Sequence, residues 1–212
     1  MYSLYVIDCE TTGTDPEKHD IIEVCFWRLN EPEGKVWSLK SVHEDTIEDG
    51  ALYVNKHKRE DITGKTQEGR DTYKDPAEVL PEIEMWIMED NCAAEDRVII
   101  GQNPMFDYRF LFELWRRSGD ENEFPFGYWM EMDGKRQHKP FLIDTIDIAK
   151  LFDILLDKKR KAYNLGSLVK SFGVTKCTAH RADGDVKMTK ELFEKMVEPL
   201  KSVIEENFSD CY

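Results

Sequence analysis

The order of short apolar runs along the chain is the feature that most constrains the fold. The first run, at residues 4–7, has the length of a buried strand and is followed by turn residues. Residues 21–28 and 35–42 are two further strand candidates, and the turn-rich stretch 30–34 between them has the length of a hairpin connection. The three runs therefore predict an antiparallel meander at the start of the chain.

After this meander, helical and strand patterns alternate. Residues 76–90 carry apolar side chains at three- and four-residue steps, with Asp75 as the N-cap and Pro76 at the first helical position. Further along we predict strands at 98–101 and 141–144, helices at 104–118, 145–156, 165–172 and 183–207, and a long loop excursion at 119–140. This order predicts an α/β fold with a mixed sheet covered by helices.

Length and cysteine content narrow the class of protein. At 212 residues the chain is long enough for one well-packed domain and short for two, so we predict a single domain, 1–212. It contains no run of about 18 apolar residues and no secretory signal, which argues against a membrane protein. Five scattered cysteines without a C-x-x-C pair argue against a disulfide framework and a structural zinc site. We therefore expect a cytoplasmic protein.

The formal charge of −14 constrains the function, because affinity for a nucleic-acid backbone usually comes from lysine and arginine. A long DNA footprint is therefore disfavoured. An enzyme that holds only a strand end can instead use bound divalent cations as its positive charge. The acidity thus weakens a binding module more than an enzyme, and surface solubility accounts for most of the 43 acidic residues.

Asp8 and Glu10 end the first predicted strand. Their two-residue spacing points both carboxylates to one face of it, while Cys9 points to the other. Beside buried apolar residues such a pair has a raised proton affinity unless a cation compensates its charge. A site for a hard divalent metal is one explanation. The other is a chance arrangement at a strand end, because the D-x-E pattern is short.

Two later acidic residues stand at predicted helix starts. Asp107 lies four residues after Asn103, near the end of the preceding strand, where ligands gather in open α/β sheets. It is equally an ordinary carboxylate favoured by the helix macrodipole. His180 and Asp185 form an H-x-A-x-x-D string, with Asp185 in the first turn of the last amphipathic helix and His180 in the loop before it.

Three strings in the chain resemble the sequence motifs of the DEDD exonucleases of the DnaQ-like, ribonuclease H-like superfamily. They are YVIDCETTG, GQNPMFDYRFL and AHRADGDVKMTKELF. The position of His180, five residues before Asp185, resembles the histidine branch, DEDDh. Weaker matches at 51–62 and 142–152 extend the resemblance over nearly the whole chain. It implies a ribonuclease H-like mixed sheet, with a three-strand antiparallel meander plus parallel strands, and a 3′→5′ exonuclease activity.

The resemblance also implies a role for each matching residue. The positions that match ligands of two divalent metal ions, Mg²⁺ or Mn²⁺, are Asp8, Glu10, Asp107 and Asp185, with Asp8 bridging the ions. His180 matches the general base, and an imidazole pKa of about 6.5 suits that role at neutral pH. The positions that match contacts to the substrate are Thr11, Thr12, Gly13 and Asn103.

The implied reaction releases nucleoside 5′-monophosphates from single-stranded 3′ ends, since terminal bases must leave a duplex before the bond reaches the metals. DNA is favoured over RNA because Thr11 follows Glu10, where oligoribonucleases carry methionine. Proofreading beside a separate DNA polymerase is one context for this activity. The alternatives are an RNA 3′-end trimming exoribonuclease and a catalytically silent nucleic-acid-binding or polymerase-tethering domain.

Side chains outside the motifs are further candidates for substrate contacts. The aromatic residues available to stack on bases are Tyr53, Phe106, Phe124, Phe126, Tyr128 and Trp129, with Phe106 also a core candidate. The basic run 158–161 either holds the nucleic-acid backbone or is a solvated helix end that complements the macrodipole.

Overall fold

A five-stranded mixed sheet forms the centre of the protein. The computed structural model describes residues 1–175 and 181–208. Its strands are β1 (Ser3–Thr11), β2 (Ile21–Arg28), β3 (Lys35–Ser38), β4 (Arg97–Gly101), β5 (Tyr128–Met132), β6 (Lys135–Lys139) and β7 (Phe141–Asp144). The central sheet has the order β3-β2-β1-β4-β7, and β5 pairs with β6 alone.

The pairing directions confirm the predicted fold class. β1, β2 and β3 are antiparallel neighbours, which is the meander expected from the apolar runs. β4 is parallel to β1, and β7 is parallel to β4. The carboxyl ends of these three parallel strands therefore lie at one edge of the sheet, where ligand sites form in open α/β folds.

Eight α-helices are described within 1–175 and 181–208. They are α1 (Asp49–Asn55), α2 (Arg59–Ile62), α3 (Gln67–Thr72), α4 (Pro76–Met88), α5 (Pro104–Ser118), α6 (Thr145–Leu155), α7 (Leu165–Ser171) and α8 (Ala182–Phe208). The last five were predicted, with ends that differ by a few residues. None of the helices in this part of the chain combines the length and the hydropathy needed to cross a membrane.

Helices cover both faces of the sheet. Tyr5 and Ile7 point to the face that packs against α4 and α5, where Trp115 is fully buried. Val6 points to the opposite face and packs against α8 through Val186. The alternation along β1 thus separates two apolar layers, and side chains that continue the Val6 face further along β1 lie under α8.

Polar side chains fix the starts of several helices. Asp75 accepts a hydrogen bond from the Ala77 N–H at the start of α4, as predicted. Asp144 accepts one from the Ile146 N–H at the start of α6. Asn103 precedes α5 as predicted, but its side chain does not cap the helix. It adopts left-handed backbone angles, which asparagine tolerates, and donates its N–H to Asp144.

The segment between α5 and β7 differs from the predicted loop excursion. It contains a short 3₁₀ helix, Glu121–Glu123, and the β5–β6 hairpin. Two of the aromatic residues predicted as candidates for base stacking, Phe124 and Phe126, are buried in the core. The ring of His138 stacks on Tyr108, which attaches the hairpin to α5. Aromatic packing, rather than a sequence period, therefore orders this segment.

The short helices α1–α3 and the end of β3 were also missed. Residues 39–42 were expected to continue the third strand, but β3 ends at Ser38 and Leu39 forms only an isolated bridge with Lys74. Helices of four to seven residues have little intrinsic stability, so their local sequence carries a weak signal.

The partly buried imidazole of His138 predicts a loss of stability in acid. Burial lowers the pKa of His138 to about 4, and the positive charge of Arg136 adds to this shift. An unfolded histidine has a pKa of about 6.5, so the folded state loses stability as the pH falls from there towards 4. We expect the free energy of unfolding, from urea titrations at pH values between about 7 and 4.5, to fall more steeply for wild type than for His138→Phe. Equal pH dependence of the free energy of unfolding in the two proteins would contradict the lowered pKa of His138.

Candidate active site

β1 presents two carboxylates to the space beneath α8. Asp8 and Glu10 follow Val6 at two-residue steps, so all three point to the same face of the strand. Cys9, between them, is buried on the other face. The predicted separation of Asp8 and Glu10 from Cys9 is therefore observed.

α8 brings a third carboxylate to the same place. Asp185 lies in its first turn, and one oxygen from each of Asp8, Glu10 and Asp185 lies within 4.8 Å of the others. The helix is held down by Ala182 and Val186, which are fully buried against the sheet. Residues at opposite ends of the chain thus form a single acidic cluster.

Asp107 adjoins this cluster but lies outside the group of three. Its side chain is buried, and its Oδ1 accepts a hydrogen bond of 2.9 Å from the Cys9 N–H. The bond ties α5 to β1 at the residue between Asp8 and Glu10. Asp107 is close enough for its charge to raise the pKa of Asp8.

Burial raises the pKa values of these carboxylates, and neighbouring charges raise those of Asp8 and Glu10 further. Burial raises the pKa of Asp8 well above its usual range, and the charges of Asp107 and Glu10 raise it further. Burial and the charges of Asp185 and Glu23 raise the pKa of Glu10 to about 8. Burial raises the pKa of Asp107 to about 7, although its bond from the Cys9 N–H acts in the opposite direction.

The donor set fits a hard divalent cation. Three carboxylate oxygens within 4.8 Å of one another are anionic ligands of the kind that Mg²⁺ and Mn²⁺ prefer. Carboxylates in this environment take up protons unless a cation compensates their charge. Asp8, Glu10 and Asp185 are therefore the residues best placed to hold a metal ion, with Asp107 beside them.

The loop after β1 is rigidly built. The Thr12 hydroxyl accepts the Asp20 N–H, and the Thr11 hydroxyl donates to the carbonyl of Gly13. A Cβ on Gly13 would lie 2.5 Å from atoms of the His19 ring, so only glycine fits without a shift. Both hydroxyl groups thus serve the loop itself, and contact of Thr11, Thr12 and Gly13 with a nucleotide stays a prediction.

The two remaining predicted site residues are Asn103 and His180. Asn103 is exposed at the start of α5, close in sequence to Asp107, and its contact with substrate stays a prediction. His180 lies outside the described residues, in the stretch 176–180. Arg181 and Ala182 follow it directly and are described.

Sequence reasoning missed three buried polar residues, which are Glu23 beside the cluster and His19 and Asn55 at the loop after β1. Glu23 is buried in β2 and accepts the Ala182 N–H, while His19 accepts the Asp15 N–H within the loop after β1. Asn55 of α1 is buried and donates to the Thr11 carbonyl. A signal existed for Glu23, because a charged residue inside the apolar run at 21–28 needs a partner. His19 and Asn55 lie in irregular stretches whose local pattern shows no such need.

The fold and site together define a class of protein. A three-strand meander continued by parallel strands, with clustered carboxylates on its first strand, is the arrangement of a ribonuclease H-like nuclease. The profile of the exonuclease family RNase_T matches residues 5–193, and the chain belongs to this DnaQ-like exonuclease family. The resemblance carried by the three motifs is thereby confirmed.

Relatives in sequence are much longer proteins. The "DNA polymerase III PolC-type" of Thermotoga maritima is 31% identical over 198 residues, which cover 93% of this chain and 12% of that protein. The protein of the same name from Staphylococcus aureus (strain bovine RF122) is 26% identical over 200 residues, again 93% of this chain and 12% of the relative.

Solved structures of Exonuclease I share the fold. E. coli Exonuclease I in complex with a dT13 oligonucleotide has a TM-score of 0.72 at 19% identity, over 97% of this chain and 43% of that one. Exonuclease I from Methylocaldum szegediense has a TM-score of 0.69 at 20% identity, over 95% of this chain and 41% of that one.

The acidic cluster predicts that a bound metal ion stabilises the protein. Removal of the metal should lower the free energy of unfolding most at high pH. Because the pKa of Glu10 is about 8 in the fold and about 4.3 when unfolded, metal-free protein loses stability as the pH rises between these values. Mn²⁺ at about 100 times its Kd should restore about 2.7 kcal/mol.

The matched variant for this measurement is Asp8→Asn. In chelator we expect it to be more stable than wild type by about 1 kcal/mol or more at neutral pH, because asparagine needs neither the buried charge nor the proton uptake that Asp8 requires. It should lose the increase in Tm that Mn²⁺ gives to wild type. Thermal denaturation with EDTA and with Mn²⁺ measures both effects. A metal-free Asp8→Asn variant less stable than wild type would contradict the repulsion inferred for this site.

Proposed function

We propose that the chain is a metal-dependent 3′→5′ exonuclease that removes nucleoside 5′-monophosphates from single-stranded 3′ ends, with DNA preferred over RNA. The observation that carries the proposal is the convergence of Asp8, Glu10 and Asp185 within 4.8 Å. Family membership supports hydrolysis of a phosphodiester bond as the reaction. Residues 1–212 act as a single exonuclease domain in this proposal.

Each site residue has a role in this proposal. Asp8, Glu10 and Asp185 would hold two Mg²⁺ or Mn²⁺ ions with the help of Asp107. Such ions would supply positive charge at the scissile phosphate and would lower the pKa of the attacking water. His180, next to Arg181 in the chain, takes the proton from that water as general base.

The loop after β1 receives the terminal nucleotide. The Thr11 hydroxyl donates to the Gly13 carbonyl, and the Thr12 hydroxyl accepts the Asp20 N–H, so the backbone after β1 is ordered before substrate arrives. Tyr53 is exposed on α1, and Asn55 of the same helix is bonded to Thr11. Tyr53 is thus the aromatic candidate best placed to stack on a base.

Three observations support a DNA substrate. The relatives in sequence are DNA polymerases by name, and a structural neighbour was solved with a dT13 oligonucleotide. The chain also carries threonine at position 11, the feature that favoured DNA in the sequence. These similarities favour proofreading beside a separate DNA polymerase.

The proposed location is the cytoplasm. The free thiols of Cys9, Cys25 and Cys92 suit its reducing environment.

Degradation assays test this function. A 3′-labelled single-stranded DNA and the matching RNA are incubated with Mg²⁺, Mn²⁺ or EDTA. We expect mononucleotide release that requires metal, is faster on DNA and falls about 10²- to 10³-fold in Asp185→Asn. Asp147→Asn is the matched control, because Asp147 lies in the first turn of α6 as Asp185 does in α8, but is 73% exposed and far in sequence from the cluster. It should keep wild-type activity.

The outcomes separate the rival functions. Faster release from RNA would replace the DNA preference with 3′-end trimming of RNA. Binding of either strand without any release would favour a silent binding or polymerase-tethering domain and would overturn the enzyme.

The general base has its own test. His180→Ala removes the proton acceptor and leaves every carboxylate in place, so it should lower kcat about 10²- to 10⁴-fold while the Kd for Mn²⁺ stays within about twofold of wild type. Single-turnover kinetics and calorimetry measure the two quantities. Wild-type kcat in this variant would exclude His180 as the base.

A further inference from the structure

Glu23 is a buried carboxylate to which the proposed reaction gives no role. Its side chain is 2% exposed, and it lies directly opposite Glu10 in the register of β1 and β2. Like charges directly opposite each other on antiparallel strands destabilise the pair. A carboxylate held in this position therefore needs a compensating contact.

The compensating contact is the start of α8. The Ala182 N–H donates to Glu23 Oε1 at 3.0 Å in a buried hydrogen bond, and Arg181 Nη2 lies 3.4 Å from Glu23 Oε2. Ala182 is the first residue of α8, so its N–H has no acceptor within the helix. The Arg181 side chain is 59% exposed, which makes the ion pair the weaker of the two contacts.

The hydrogen bond joins the two halves of the acidic cluster. Asp185 lies three residues after Ala182, less than one turn further along the helix. Fixing Ala182 against β2 therefore fixes the height of Asp185 above β1. On the strand side, Glu23 is the direct neighbour of Glu10, so a single contact sets the distance between Glu10 and Asp185.

We propose that Glu23 is a positioning residue, which accepts the Ala182 N–H and thereby holds Asp185 within metal-binding distance of Asp8 and Glu10. The proposal rests on the proposed function, because the geometry it protects is that of the metal site. It requires an acceptor at position 23 and does not require a negative charge there.

Two substitutions separate the acceptor from the charge. Glu23→Gln removes the charge and keeps an oxygen that can accept the Ala182 N–H. Glu23→Met removes the charge and the acceptor, with a side chain of similar length. Titration calorimetry of Mn²⁺ into each protein, without nucleic acid, gives the Kd for the metal.

We expect Glu23→Met to bind Mn²⁺ about 10- to 100-fold more weakly than Glu23→Gln, the range found when a residue supporting a metal ligand is lost. In the degradation assay, Glu23→Met should have a lower kcat and an unchanged KM for the oligonucleotide, and Glu23→Gln should recover most of kcat. If Glu23→Met does not fold, Glu23→Ala takes its place in the comparison with Glu23→Gln.

Asp90→Asn is the matched control for a general loss of stability. Asp90 is also a buried carboxylate that accepts a backbone N–H, from Cys92, and pairs with an arginine, Arg97, but it lies at the other end of the sheet. The Asp90→Asn substitution should lower Tm and leave the Kd for Mn²⁺ unchanged.

The outcomes test the positioning role of Glu23 separately from the proposed exonuclease function. Equal Mn²⁺ affinity in Glu23→Met and Glu23→Gln, beside an active wild type, would overturn the positioning role alone. If both variants bind Mn²⁺ equally and more weakly than wild type, the charge of Glu23 is the important property. This result would also overturn the positioning role. A wild type that neither binds Mn²⁺ nor degrades nucleic acid would overturn the proposed function and the positioning role together.

Discussion

Repulsion among carboxylates at one end of β1 is the constraint on which the rest of the structure depends. One carboxylate oxygen from each of Asp8, Glu10 and Asp185 lies within 4.8 Å of the other two. The charges of Asp107 and Glu23 also act on Asp8. In a partly buried setting such charges are costly. The surrounding packing and hydrogen bonds hold these residues together, and proton uptake or a bound cation would relieve the repulsion that remains.

Each acidic residue beside the cluster is tied to a backbone N–H. Asp107 accepts the Cys9 N–H, and Glu23 accepts the Ala182 N–H. These bonds stabilise the charged carboxylates and, at the same time, join α5 to β1 and α8 to β2. Asp107 and Glu23 add negative charge to the cluster. They therefore also fix the strands and helices that carry its carboxylates. The fold itself therefore places the carboxylates of the cluster.

The acidity of the whole chain is consistent with this arrangement. With a net charge of −14, the protein has little long-range attraction for a nucleic-acid backbone, so a divalent cation at the cluster would be the main positive charge at the strand end. The chain covers 12% of the PolC-type polymerase relatives and less than half of Exonuclease I.

The sequence by itself determined the meander, the later strand and helix alternation, and the carboxylates at the strand end and the helix starts. It did so because periods of 2 and 3.6 and the family motifs are local patterns. Only the tertiary structure decided that Glu23 meets Ala182, that Asp107 meets Cys9, and that aromatic packing orders the β5–β6 hairpin. These contacts join residues far apart in the chain, and their geometry is set by how helices settle on the sheet, which no local pattern encodes.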